Sequence, residues 1–437
     1  MKIFNKGVVV CAVAAALAAP MTAMATNGYF AHGYGTKNKG LAGGGVALPQ
    51  DAMIAATNPA GMVEVGSRMD LGVALFSPSP RKYTDDNPAA GFVSGSAGSG
   101  QESDNDFFLI PHFARNWMLD SDSSVGVSVY GNGGMNTEYP IGVYAGGAGG
   151  VTGINLEQLF INTTYSKKID DKSSWGASLI AVYQTFEAKG FGVFAPFSTD
   201  PSNLSNNGKD SSTGFGAKFG WQGEVAKDIT LAASYQTKMS MGEFKKYKGL
   251  FAEGGGFDIP SSWTLGLAWD TTPKSTLTFD IQQINYTDVA SIANGLAPLA
   301  TSCTPGAPAT GGTGAGCLGG GSGAGFGYED MTVYKLGYQW STSADWTWRV
   351  GISQSDQPIG SGDVLFNIVA PAIMETHLTA GFTMKTGTDS EFNFAAMYAP
   401  KSTVSGTVDT TSIGGGVDNI SLEMTQYEVE ASWAWKF

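Results

Sequence analysis

Side-chain character alternates with a period of two along most of this chain, and that feature confines it to β structure. In residues 276–282, Leu277, Phe279 and Ile281 point one way while Thr278, Asp280 and Gln282 point the other. The last segment is the clearest. Tyr427, Val429, Ala431, Trp433, Trp435 and Phe437 share one face; Gln426, Glu428, Glu430, Ser432 and Lys436 share the opposite one. A helix repeats every ~3.6 residues and cannot build two such faces from this pattern.

The connectors between alternating segments come in two kinds. Short polar ones lie near 120–124, 167–173, 226–228, 271–274, 342–345 and 385–390. Long ones rich in Gly, Ser, Asn and Pro lie near 79–105, 135–153, 187–211, 242–256, 289–327, 358–371 and 404–419. Together they separate fourteen strands. Short turns alternating with long loops, and an even strand count, predict an all-β fold: a 14-stranded antiparallel transmembrane β-barrel of the outer-membrane type. Trp117, Trp175, Trp263 and Trp340 fall near strand ends, where interfacial aromatics belong. A secreted β-sandwich alternates too, but a chain this long would need several sandwiches with linkers between them, and none are found.

Composition narrows the function. Only 14% of residues are charged against 42% hydrophobic, where an ordinary domain carries roughly 25% charged residues. The formal net charge is −13. Arg68, Arg81, Arg115 and Arg349 are the only arginines in the chain, which excludes nucleic acid as a partner. The histidines, His32, His112 and His377, show no triad or metal spacing. The expectation is therefore no catalytic residue, no metal, no cofactor and no enzyme.

Residues 1–25 read as a signal peptide: Lys2 and Lys6, an apolar run from Gly7 to Ala19, then Ala23-Met24-Ala25 as a cleavage site. Export places Cys303 and Cys317 in an oxidising compartment, so the pair is expected to form a disulfide across a Gly/Thr/Ala/Pro-rich loop. Closing a loop of about 15 residues is worth roughly 3 kcal/mol in the chain-entropy model. Residues 26–67 do not alternate and are rich in Gly and Ala, as a compact lumenal plug would be. The expected domains are thus 1–25, 26–67 and 68–437.

Asn27 to Gly35 (NGYFAHGYG), Gly40-Leu41-Ala42-Gly43-Gly44 and Asn58-Pro59-Ala60-Gly61-Met62 resemble the hatch of the OmpP1/FadL/TodX outer-membrane transporters. The resemblance continues through Tyr130 to Tyr139 (YGNGGMNTEY), Ile281 to Asp288 (IQQINYTD) and Gly327-Tyr328-Glu329-Asp330, ending at Trp433 to Phe437. It implies passive uptake of hydrophobic molecules across the outer membrane of a Gram-negative bacterium. Long-chain fatty acids are the first substrate class. Neutral hydrocarbons (alkanes or aromatics such as toluene) are the alternative, and a general porin stands behind both. It further implies a hatch at Asn58, Pro59 and Ala60, and a kinked third strand forming a lateral portal at Gly131, Asn132, Gly133 and Gly134.

Candidate ligand contacts are Lys218, Lys335 and Arg349, inward-facing by alternation, Lys189 just past the fifth strand, and the loop residues Phe191 and Phe194, read with Val193 and Phe197 as an exposed apolar groove. Glu329 stands where fatty-acid-transporting relatives carry a lysine. A carboxylate there repels a carboxylate ligand, which brings neutral hydrocarbons forward. The expected partners are the hydrophobic ligand, the surrounding lipid and lipopolysaccharide, and the assembly machinery that reads a C-terminal aromatic strand. The protein is expected to be a monomer.

Overall fold

The computed structural model describes residues 26–86, 93, 100–144, 150–411 and 415–437. The leader read at 1–25 lies outside them. The fourteen long strands are β1 (Arg68–Ser77), β2 (Phe108–Met118), β3 (Ser123–Tyr139), β4 (Thr152–Lys168), β5 (Ser173–Lys189), β6 (Asp210–Ala226), β7 (Ile229–Gln236), β8 (Ser262–Thr272), β9 (Ser275–Ile284), β10 (Met331–Ser341), β11 (Trp346–Ser355), β12 (Thr376–Lys385), β13 (Ser390–Asp409) and β14 (Val417–Lys436). Each pairs antiparallel with its sequence neighbours, and β1 closes the cylinder by pairing with both β2 and β14. Short strands at Arg81–Asp85, Gln101–Glu102 and Ser240–Met241 extend the wall on the long-loop side.

The two faces carry opposite chemistry. Thr278 and Asp280 are buried on the inner face of β9, while Phe279 between them is exposed. Glu428 and Glu430 are buried on β14, while Tyr427, Val429 and Trp433 point outward. Leu179 and Phe215 are each 74% exposed. In water such a surface would be a large penalty; in a bilayer it is the lipid-facing band. Polar-in and apolar-out is the reverse of a sandwich core. No helix among the described residues is long and apolar enough to cross a membrane.

Two loop boundaries differ from the sequence reading. β3 continues to Tyr139 and β4 begins at Thr152, and the β13–β14 hairpin runs on through Asp409 and Val417. Ladder pairing between neighbours persists beyond the apolar band, because the backbone groups there still satisfy one another.

The leading segment, residues 26–66, runs through the interior of the cylinder. Tyr29, Leu41, Ala52 and Met62 are fully buried. It folds as short pieces: a helix at Thr36–Lys39 and 3-10 turns at Ala52–Ala56 and Pro59–Glu64. Asp51 caps the first 3-10 turn by accepting from Met53 N (3.0 Å), and Asn58 caps the second by accepting from Ala60 N (3.1 Å).

Candidate functional site: lumen, wall gap and apolar cavity

The leading segment is held in two different ways. On one side the hold is ionic. Lys39 Nζ lies 2.8 Å from Glu428 and 2.7 Å from Glu430, both on β14. Lys37 pairs with Glu391 of β13 at 2.5 Å, and Arg68 of β1 bridges Asp70 (2.6 Å) and Glu391 (2.8 Å). The Thr36 hydroxyl donates to Glu430 (2.7 Å). All these groups are shielded from water, where an ion pair is strong only if its partners are complete.

Along β2, β4 and β5 the contacts are hydrogen bonds from neutral side chains. Ala60 O accepts from the hydroxyls of Ser166 on β4 (2.8 Å) and Ser174 on β5 (2.9 Å). Asn116 Nδ2 on β2 donates to Met62 O (2.8 Å), and within the segment Asn58 Nδ2 donates to Val46 O (2.9 Å). The wall here is glycine because the segment lies directly on it. A Cβ on Gly176 would come within 2.4 Å of Pro59 backbone, and one on Gly220 within 2.0 Å of the Asn58 side chain.

The three inward cations also serve this segment. Lys218 donates to Ala56 O. Lys335 donates to His32 O (3.2 Å) and Gly43 O (3.3 Å). Arg349 donates to Gln50 Oε1 (2.7 Å) and to the Thr383 hydroxyl (2.7 Å). Asp280 accepts from Gly45 N (2.8 Å) and Val46 N (2.9 Å). Lys218, Lys335 and Asp280 border a small polar cavity between the segment and the wall.

The other two charged candidates lie elsewhere. Lys189 is the last residue of β5, not beyond it, and pairs with Glu138 at 3.2 Å while partly exposed. Glu329 is exposed, its backbone N–H donating to Pro358 O. The structure does not bring Lys189 or Glu329 together with the lumenal cations.

The wall is interrupted between β2 and β3. Their ladder covers Phe113–Met118 against Ser124–Val129 and then stops. Two residues further along β3 its register with β4 slips between Gly131 and Gly133. The extra residue reverses the parity: Ser128 and Tyr130 are buried on the even side, whereas Met135, Thr137 and Tyr139 are buried on the odd side. The leading segment takes the place of β2 here. Ala31 N donates to Asn132 O (2.9 Å), and Gly134 N donates to Tyr29 O (2.9 Å). The Asn132 side chain donates to Gln158 (3.1 Å) and accepts from the Tyr34 hydroxyl (2.8 Å).

A separate, apolar cavity lies under the long loops. Ile154, Phe186, Phe191, Leu250, Phe251, Leu318, Phe326 and Phe366 line it. Its one polar side chain is Ser291, whose hydroxyl is already committed to Gly256 O (2.5 Å). Phe191, Phe194 and Phe197 are buried, which corrects the reading of that loop as an exposed groove. Phe191 faces the cavity; Phe194 sits behind it, edge-on to Phe366 (5.2 Å) and to Tyr144 (5.2 Å). From the cavity a run of rings leads inward: Phe251 to Phe257 (4.8 Å), Phe257 to Tyr29 (6.2 Å) and Tyr29 to Tyr286 (5.4 Å). Tyr29 also bonds β3 at the gap through its backbone, as Ala31 does.

Sequence reasoning missed most of this lining, because Leu250, Phe251, Leu318 and Phe366 sit in loops without periodicity. It also missed the ionic hold. Glu428 and Glu430 on the inner face of the last strand carried a usable signal: two buried acids demand cations from whatever fills the lumen.

A closed fourteen-strand barrel with a filled lumen, a gap in its wall and an apolar cavity beneath its outer loops defines an outer-membrane channel for hydrophobic molecules. The chain belongs to the family described as outer membrane protein transport protein (OMPP1/FadL/TodX), whose profile matches residues 15–431. That family is one of transporters, and it places the protein in a Gram-negative outer membrane.

Among solved structures the fold is similar to the Pseudomonas putida toluene transporter TodX: 19% identity, TM-score 0.69, covering 93% of this chain and 99% of that one. It is also similar to a Pseudomonas aeruginosa FadL homologue (14%, 0.67, 94% and 100%) and to the Ralstonia pickettii toluene transporter TbuX (16%, 0.62, 93% and 99%). No curated protein matches the chain by sequence.

Proposed function

We propose that this protein is a passive conduit for small neutral hydrophobic molecules, with monoaromatic hydrocarbons such as toluene as the leading substrate class. The observation that carries this reading is the apolar cavity, which has no charged side chain among its lining residues. A long-chain fatty acid needs a cation for its head group. Lys218, Lys335 and Arg349 are instead engaged with the leading segment and its surroundings. The similarity to toluene transporters is in keeping with this choice. The enclosed space is about 20 Å³, so a ligand enters by parting the lining rings; burying about 150 Å² of apolar surface gains at most roughly 4 kcal/mol, a dissociation constant no tighter than about millimolar. Such binding captures a solute and still lets it go.

In this reading residues 26–67 act as a hatch, with Asn58, Pro59 and Ala60 seated against the β4–β6 wall. The ligand moves along the aromatic run toward Tyr29. Displacement of Tyr29–Ala31 from Gly131–Gly134 then opens the gap between β2 and β3 to the bilayer. The protein works as a monomer within lipid and lipopolysaccharide, and its last strand addresses the assembly machinery.

Phe326→Asp places a carboxylate in the cavity, and toluene uptake by cells carrying it should fall at least tenfold with the amount of folded barrel unchanged. Isotope-labelled toluene and oleate, each added to cells with and without the protein, separate the substrate classes. Oleate uptake that depends on the protein while toluene uptake does not would overturn the proposal in favour of fatty acids.

A further inference from the structure

The Cys303–Cys317 disulfide lies in the loop between β9 and β10, and that loop is the roof of the apolar cavity. Leu318, the residue after Cys317, is buried and lines the cavity; Ala324, Gly325 and Phe326 follow it into the same lining. The segment closed by the disulfide folds back on itself, with Thr304 and Thr313 exchanging backbone hydrogen bonds (2.8 and 2.9 Å). It is then sewn to the β5–β6 loop. Gly306 N donates to Pro196 O, Gly312 N to Ser198 O and Leu318 N to Phe197 O, while Thr199 N returns a bond to Leu318 O, each at 2.9 Å. The β7–β8 loop joins from the third side, Glu253 N donating to Gly320 O (3.0 Å) and Gly254 N to Gly319 O (3.1 Å).

These seams are backbone bonds between irregular loops. Outside the disulfide, residues 304–316 are all small or turn-forming, and most are exposed, so they bring little apolar burial to hold their place. The covalent link removes most of the conformations this stretch could otherwise adopt. It therefore fixes where Leu318 begins the cavity wall.

We propose that the Cys303–Cys317 disulfide is an affinity determinant of the conduit: it pre-organises the roof of the cavity, so that ligand binding does not have to order three loops. This rests on the reading of the cavity as the ligand site.

The test uses the full-length protein in lipid nanodiscs, as wild type, as Cys303→Ser/Cys317→Ser, and as folded wild type treated with a phosphine reductant. Toluene binding is measured by ligand-observed NMR, and amide hydrogen exchange is read in the same samples. The double variant and the reduced protein should both bind toluene about tenfold more weakly. Protection at Thr199, Gly306, Gly312 and Leu318 should fall by a similar factor, with the amides of β1–β14 unchanged. The reduced sample keeps the test valid if the double variant assembles poorly. Equal toluene affinity in oxidised and disulfide-free protein would overturn the roof proposal and leave the site standing. Absence of toluene binding to the wild type would overturn both.

Discussion

Lys39→Met is expected to conduct a steady ionic current in planar bilayers, where the wild type is expected to pass almost none. Among the described residues Lys39 is the one lysine or arginine paired with Glu428 and Glu430, with His112 Nδ1 3.5 Å from Glu430, and the Lys39, Glu428 and Glu430 side chains are almost completely buried. Removing it leaves two carboxylates two residues apart on the inner face of β14. Breaking a buried ion pair from one side costs about 3–5 kcal/mol, and it leaves Lys37–Glu391 as the remaining ion pair between the segment and this wall, beside hydrogen bonds worth roughly 1 kcal/mol each. The leading segment should leave that side of the lumen and admit water. Single-channel recording in planar bilayers reads the change directly. Combining Lys39→Met with Glu428→Gln and Glu430→Gln removes the stranded charges and should return the channel toward silence. A Lys39→Met channel as quiet as the wild type would show that these ion pairs do not hold the segment in place.

The second large effect is expected at the wall gap. A Cβ on Gly133 would stand 1.9 Å from Tyr29 O and 2.9 Å from Phe30 Cα. Both are backbone atoms, so neither can swing aside as a side chain would. Gly133→Ala must therefore push Tyr29–Ala31 off the third strand and break the bonds from Ala31 N to Asn132 O and from Gly134 N to Tyr29 O. At about 1 kcal/mol per bond, hydrogen-exchange protection at Ala31 and Gly134 should fall by at least tenfold. Amides of β9–β13, on the far side of the barrel, should not change. If the gap is the exit, toluene uptake into cells should change with it. An unchanged uptake rate alongside lost protection would place the exit elsewhere.

The alternation along β9 and β14 made both faces of the wall readable before any coordinates, because in a strand parity alone decides the side on which a residue lies. Parity puts Lys218, Lys335 and Arg349 on the inner face, and they are buried there. It could not supply their partners. Ala56 O, Gly43 O and Gln50 come from a segment whose path through the lumen has no period to follow. The loop phenylalanines show the same limit: Phe191 and Phe194 look exposed in sequence because they lie in a connector outside the alternating strands, yet both are buried, with Tyr144 and Phe366 from two other loops packed edge-on to Phe194.

What the amino-acid order determined by itself was the barrel, its strand count, its lipid-facing and lumen-facing sides and the pairing of its two loop cysteines. Each follows from local chemistry: a two-residue repeat, the length of connectors, and two thiols in an oxidising compartment. Tertiary structure alone decided which cations are engaged with the leading segment, where the β2–β3 ladder stops, and that an apolar cavity without charge forms under the loops. Those outcomes depend on contacts between residues hundreds of positions apart, Lys39 with Glu430 or Tyr29 with Phe257. Such contacts exist only once the cylinder has closed and filled.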